Sequence, residues 1–334
     1  MTLMKSILGT AATLALTAGA ALADPALIYD LGGKFDKSFN EAAYNGAEMY
    51  AKETGGSYKD IELQSEAQRE QALRRFAEAG FNPVVTTGFS MSSPIAAIAA
   101  DYPDTKFVTI DGFVDPEEHP NVLSILFSEH EGSYLVGMLA AMASESGTVG
   151  FVGGMDIPLI RKFACGYAQG AKAVSDDINV ISNMTGTTPA AWNDPVKGSE
   201  LTKAQISQGA DVIFAAAGGT GIGVLQTAAD EGILSVGVDS NQNYLHPGKV
   251  LTSMLKRVDV AVAEAMTEGT ELKTGVKVLG LAENGVGYAL DENNAELLSD
   301  EMKAAVDEAR EKIVAGEIEV HDYSADDSCP ALNF

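Results

Sequence analysis

Basic side chains are scarce in this sequence. Twenty-two lysines and arginines stand against 47 aspartates and glutamates, for a formal net charge of −25. Such a surface repels nucleic-acid phosphates, and no basic stripe with interleaved aromatics reverses that, so a nucleic-acid partner is excluded. Cysteine is nearly absent: Cys165 and Cys329 are the whole supply, too few for a structural zinc set. The four histidines (His119, His130, His246, His321) have no ligand spacing, and a surface or structural role fits each better. No metal and no cofactor is expected. Long apolar runs are also missing, and none approaches the ~20 residues a membrane span needs.

The apolar run nearest the start reads differently. Lys5 supplies a positive n-region, residues 7–16 an apolar h-region, and Ala21-Leu22-Ala23 a small-x-small cleavage site. Residues 1–23 therefore read as a secretory signal peptide, removed before Asp24. No cysteine follows the cleavage site, so no N-terminal lipid is expected. The mature chain is expected in the periplasm of a two-membrane cell, without membrane insertion. In that oxidising setting Cys165 and Cys329 either pair or remain one buried and one free thiol, and their spacing does not decide between these.

What remains is an ordinary globular composition, 46% hydrophobic and 21% charged, over 334 residues, enough for two domains. The stretch 26–46 sets the pattern. A buried apolar run, 26–29, stops at Asp30; Gly32 and Gly33 turn the chain; Phe39 and Asn40 open a helical pattern. In open parallel sheets, ligands sit in the loop beyond the strand's carboxyl end. This loop offers an acid, exposed amides, an aromatic ring and an amide side chain, with no nucleophile–base pair.

Strand-like and helical segments alternate onward. Strands are expected at 61–63, 84–87, 107–110 and 122–127, with helices at about 66–79 and 92–100. A second series follows: helix 131–143, strand 148–152, helix 160–174, strand 179–184, then a helix from Trp192-Asn193-Asp194-Pro195 to Gln208. Strand 211–217, the glycine turn 218–223, helix 224–230 and strand 234–238 complete it. The halves echo each other, VTID ending in Asp111 and VGVD in Asp239. The alternation predicts an α/β chain of parallel sheets with helices on both faces, in two lobes with a cleft between their carboxyl edges. Later segments (strands 250–255, 276–281 and 286–290; helices 258–267 and 294–314) return to the first lobe and cross again. Crossings are expected near 124–129, 255–258 and 284–290, with no loose linker.

Familiar catalytic signatures are absent. The turn 218–223 satisfies neither G-x-x-x-x-G-K-[ST] nor G-x-G-x-x-G, and survives as amides at a helix start or simply a tight turn. Gly88-Phe89-Ser90-Met91-Ser92 lacks the closing glycine of a nucleophile elbow. His130-Glu131 has Tyr134 where a zinc helix needs its second histidine.

The segments DKSFN (36–40), EHEGSYLVGMLAA (129–141), WNDPVKG (192–198), GADVIFAAAGGTGIGV (209–224), GVDSNQ (237–242) and TSMLKRVDVAV (252–262) together resemble the basic membrane protein family of ABC-transporter substrate-binding proteins, purine nucleoside receptors among them. The resemblance covers essentially the whole mature chain. It implies a periplasmic-binding-protein type I fold: two αβα lobes, three crossovers and a ligand enclosed at the hinge. The lobes would comprise 24–125 with about 257–285, and 126–256 with about 286–334. Many relatives are lipoproteins, whereas this sequence lacks the lipobox cysteine. Carried over residue by residue, Asp30, Phe39 and Asn40 resemble the N-lobe ligand loop, and Asp111 the N-lobe acid near the first crossover. Trp192, Gly219, Asp239 and Lys256 fall where the second lobe and hinge meet the ligand, and Phe163, in IRKFACGYAQG, is a further contact.

The implied function is non-enzymatic capture of a nucleoside, a purine nucleoside foremost, for delivery to an ABC permease. Another polyhydroxylated solute such as a sugar, a sensory receptor, and an exported nucleoside hydrolase are the alternatives. Each residue also has a plainer reading. The phenylalanines fit a core, the aspartates cap turns, Trp192 staples its helix, and Lys256 is surface charge.

Overall fold

Four short runs with every residue buried, ALIY, VVTT, FVTI and VIFAA, dictate the architecture. A strand buried on both faces belongs in a parallel sheet covered by helices. The computed structural model describes residues 23–334, so the signal-peptide expectation lies outside the described residues apart from Ala23.

The first series comprises β1 (Ala26–Tyr29), α1 (Phe39–Thr54), β2 (Lys59–Glu62), α2 (Arg69–Glu78), β3 (Val84–Thr87), α3 (Ser92–Ile98), β4 (Phe107–Ile110) and β5 (Val122–Phe127). The second comprises α4 (Glu129–Ala143), β6 (Thr148–Met155), α5 (Pro158–Val174), β7 (Asn179–Gly186), α6 (Pro195–Ser207), β8 (Val212–Ala216), α7 (Thr220–Asp230), β9 (Leu234–Asp239) and β10 (Val250–Lys256). Then come α8 (Val258–Glu268), β11 (Gly275–Leu279), β12 (Val286–Tyr288) and α9 (Asp300–Val314).

The strands form two six-stranded sheets, β11-β5-β4-β3-β1-β2 and β12-β10-β9-β8-β6-β7. The first is parallel throughout, and in the second only β12 runs antiparallel, against β10. The chain passes from the first sheet to the second after β5, returns after β10 with α8 packing on α1, and crosses again between β11 and β12. Three crossovers place the carboxyl ends of β1, β3 and β4 opposite those of β8, β9 and β10. Cys165 and Cys329 are bonded to each other, Cα atoms 5.7 Å apart, which ties the C-terminal tail to α5.

Local chemistry sets the element ends. Asp194 caps α6 by accepting from the Lys197 amide at 2.9 Å, with Pro195 in the first turn. The helix expected from residue 224 begins at Thr220, because Gly219 already has helical torsions (φ −59°, ψ −26°). The helix expected from 294 begins at Asp300, after the Ser299 cap. Asn294 is instead buried in a turn, its amide donating to Leu251 O at 2.9 Å and Ala289 O at 3.0 Å. Its amide side chain thus ties this turn to the sheet in place of a helical turn.

Candidate functional site

The loops beyond the facing strand ends surround a cavity that is partly open to solvent. From the first lobe it is lined by Asp30, Gly32, Asp36, Phe39, Asn40, Phe89 and Asp111, and from the second by Ile160, Phe163, Trp192, Gly218, Asp239 and Lys256, among others.

Phe39 and Asn40 reach the cavity because they begin α1, and Asp36 fixes that start. Its carboxylate accepts the backbone amides of Ser38 (2.8 Å), Asn40 (3.1 Å) and Glu41 (3.1 Å). Burial nevertheless pushes Asp36 up to about 7. Asn40 is an internal brace: its oxygen accepts from Thr87 Oγ1 at 2.8 Å and its nitrogen donates to Gly33 O at 3.2 Å. Asp30 lines the cavity, but both its oxygens are engaged by the buried Arg69 guanidinium, at 2.9 and 3.2 Å, and Ser90 Oγ also donates to it.

Asp111 and Asp239 occupy matching positions, directly after β4 and at the end of β9. Both have left-handed backbone torsions, φ +70° and +62°. Non-glycine residues adopt this region uncommonly, aspartate more readily than most, and such torsions cluster at ligand sites. Asp239 accepts from Ser38 Oγ across the cleft. Asp111 Oδ2 accepts from Lys256 Nζ at 2.6 Å, while Asp111 Oδ1 is buried with no partner. Burial pushes Asp111 up to about 6, Glu129 adding to the effect, and burial raises Asp239 as well.

Lys256 is 2% exposed and central. Its ammonium lies 2.6 Å from Asp111 and 2.9 Å from Glu129 Oε1. It also lies within 5.5 Å of the ring centroids of Phe39, Phe127 and Phe163, close enough for cation–π attraction. Burial lowers its pKa, but Asp111, Glu129 and Asp239 more than offset this and hold it above the ordinary lysine value. Phe39 from one lobe and Phe163 from the other thus converge on one cation. Trp192 lies over Gly154, where a Cβ would collide with the indole ring, so only glycine lets the ring settle on that strand end.

Eight of the nine residues singled out from sequence line this one cavity: Asp30, Phe39, Asn40, Asp111, Phe163, Trp192, Asp239 and Lys256. Gly219 does not; the lining glycine is Gly218, because Gly219 has already entered the helical turn beneath Trp192 O. Sequence reasoning missed Asp36, Phe89, Arg69 and Glu129. The first two stand at positions equivalent to ones it used, in the loop of Asp30 and beyond the end of β3. Arg69 and Glu129 act through long-range pairings that spacing does not encode.

With Asp30 neutralised by Arg69 and Asp36 spent on the start of α1, Asp111 and Asp239 face the single cavity ammonium, an arrangement suited to accepting hydroxyl or amine donors and poorly suited to an anion. The lobes touch beside it: Ser240 Oγ donates to Ser38 O (3.1 Å) and Gln242 Nε2 to Lys37 O (2.9 Å). Two parallel-dominated lobes, three crossovers and a polar-aromatic cleft between strand ends define a bilobed solute-binding protein of the periplasmic-binding-protein type. Residues 26–324 match the family described as ABC transporter substrate-binding protein, PnrA-like, and the chain belongs to that family.

Among relatives, the ABC transporter nucleoside-binding protein BmpA of Lactococcus lactis subsp. cremoris is 31% identical over 320 residues, covering 88% of each chain. An uncharacterized lipoprotein of Pyrococcus abyssi is 36% identical over 280 residues, 79% of this chain and 68% of its own. Among solved structures, an ABC transporter solute-binding protein from Aeropyrum pernix K1 superposes with a TM-score of 0.79 at 28% identity, covering 90% and 93% of the two chains. Proteins of this class bind a small molecule for an ABC importer.

Proposed function

We propose that this protein captures a nucleoside, a purine nucleoside foremost, in the interlobe cavity and presents it to an ABC permease by hinge closure, without altering it covalently. The observation that carries the reading is the buried Asp111 Oδ1 without a hydrogen-bond partner, on a residue that lines a cavity aromatic rings enter from both lobes. A ribose presents vicinal hydroxyl donors to Asp111 and Asp239, and a base presents a flat apolar face to Phe39, Phe163, Phe89 and Trp192. Stacking is worth ~1–3 kcal/mol per base and tolerates different bases. A ligand touching both lobes stabilises the closed arrangement selectively, which converts binding into hinge motion. The carboxylate excess favours nucleosides over nucleotides. The name of the Lactococcus relative points the same way.

We further propose that the chain works in the periplasm, an oxidising setting in which its Cys165–Cys329 bond persists.

Thermal-shift measurement on refolded, ligand-stripped protein tests the ligand class. Inosine, guanosine and adenosine are expected to raise Tm, by the equivalent of ~2.7 kcal/mol at a hundredfold excess over Kd. The corresponding monophosphates and free sugars are expected to leave it unchanged. A shift with sugars alone moves the reading to another polyhydroxylated solute, and base release from a nucleoside moves it to a hydrolase.

A further inference from the structure

Behind the cavity a line of buried charges leads away from Asp111. Lys256 is shared between Asp111 and Glu129, as described. The second Glu129 oxygen, Oε2, lies 3.0 Å from Lys162 Nζ, and Glu129 itself is fully buried and outside the cavity lining. Lys162 also donates to Phe127 O at 3.1 Å and lies 3.7 Å from Asp322 Oδ2. Asp322 belongs to the C-terminal tail, and its carboxylate stands 3.9 Å from His130 Nδ1.

The tail is fastened at several points to α5, the helix whose other side sends Ile160 and Phe163 into the cavity. The Cys165–Cys329 bond is one fastening. Arg161 Nη1 donates to the Tyr323 hydroxyl at 2.9 Å. Gln169 and the His321 backbone exchange a reciprocal pair at 2.8 and 3.0 Å.

We propose that Glu129 and Asp322 are positioning residues for the ligand: through Lys162 and Lys256 they keep one Asp111 oxygen free, so the tail sets the affinity of a cleft it does not line. The direction follows from competition for a single ammonium. Glu129 attracts Lys256 by charge, without a hydrogen bond to either of its oxygens, while Lys256 donates to Asp111 Oδ2 alone and Oδ1 stays unpartnered. Without the Glu129 charge, Lys256 settles wholly on Asp111 and competes with the ligand for both oxygens. Without the Asp322 charge, Lys162 leans harder on Glu129 and loosens its hold on Lys256, with the same result. The remaining titratable groups facing this line are Asp239 from β9, beside Lys256 and Asp111; Glu131 from α4, facing Lys162; and His130 from α4, beside Asp322 and Lys162, with His321 of the tail next to it. The proposal rests on the nucleoside reading only for its binding assay.

Calorimetric titration of ligand-stripped protein with inosine tests it. E129Q is expected to bind about tenfold more weakly and D322N about threefold, the range found for coupling along packed networks. D322E is expected to restore wild-type affinity. Asp322 is 34% exposed, so D322N keeps the test intact if E129Q does not fold. A fold defect alone would not move the pH profile. Wild-type affinity should fall as pH drops through about 6, where Asp111 protonates, and E129Q should shift that midpoint downward. Wild-type affinity in both variants overturns the proposal. If wild-type protein binds no nucleoside, the ligand reading has failed and the relay is read separately, by carbon-13 NMR titration of Asp111 in ligand-free protein. A midpoint that E129Q leaves in place then overturns the relay.

Discussion

Asp111 concentrates the chemistry of the site in one side chain. One oxygen neutralises Lys256 and the other is buried and unpartnered, and a buried acceptor without a donor costs about 1–3 kcal/mol. A ligand hydroxyl removes that cost on arrival. D111N should therefore weaken nucleoside binding by about 1.5–3 kcal/mol, the worth of a hydrogen bond to a charged group, as read by calorimetry. An unchanged affinity would remove Asp111 from the ligand. The stability contributions of this cluster oppose one another with pH. Asp111 is raised to about 6, so its contribution is present below the ordinary carboxylate range and lost as pH rises through 6. For Glu129, burial would raise the pKa, but Lys256 and Lys162 together hold it down to about 2. Its contribution is thus complete above the ordinary range and lost as pH falls toward 2.

At the scale of elements, apolar runs ending in Asp or Gly made the central strands legible, because a strand buried on both faces leaves no alternation to misread. Edges were harder. β2 runs Lys59–Glu62, mostly exposed and charged, where its apolar end alone had suggested a strand at 61–63. The site was legible where function falls on strand ends, as with Asp111 and Asp239, and illegible where it depends on partners distant in sequence. Asp30 read as a free ligand acid because nothing local announces Arg69, 39 residues on. The pairing of Cys165 with Cys329 was undecidable for the same reason. Helix packing carries its own prediction. α4 and α5 approach so closely that a Cβ on Gly170 would run into the Tyr134 carbonyl. G170A should lower unfolding stability by about 1–3 kcal/mol in urea titrations, despite the ~1 kcal/mol helix preference of alanine over glycine. A more stable variant would show that the two helices can part without loss.

Across the whole molecule, each lobe contributes half a site. Charges and rings that mean little alone converge because the three crossovers set the carboxyl ends of two parallel sheets face to face. The short polar contacts between the loop at 37–38 and the loop at 240–242 join the lobes beside the cavity. Trp192, the single tryptophan of the chain, lines that cavity from the second lobe and is its natural reporter. The most direct measurement is therefore a fluorescence titration of refolded, ligand-stripped protein with inosine, with inosine monophosphate alongside. The account predicts a saturable Trp192 response to inosine, little response to the monophosphate, and a weakened response in D111N. No response to any nucleoside, or an equal one to the monophosphate, would contradict it.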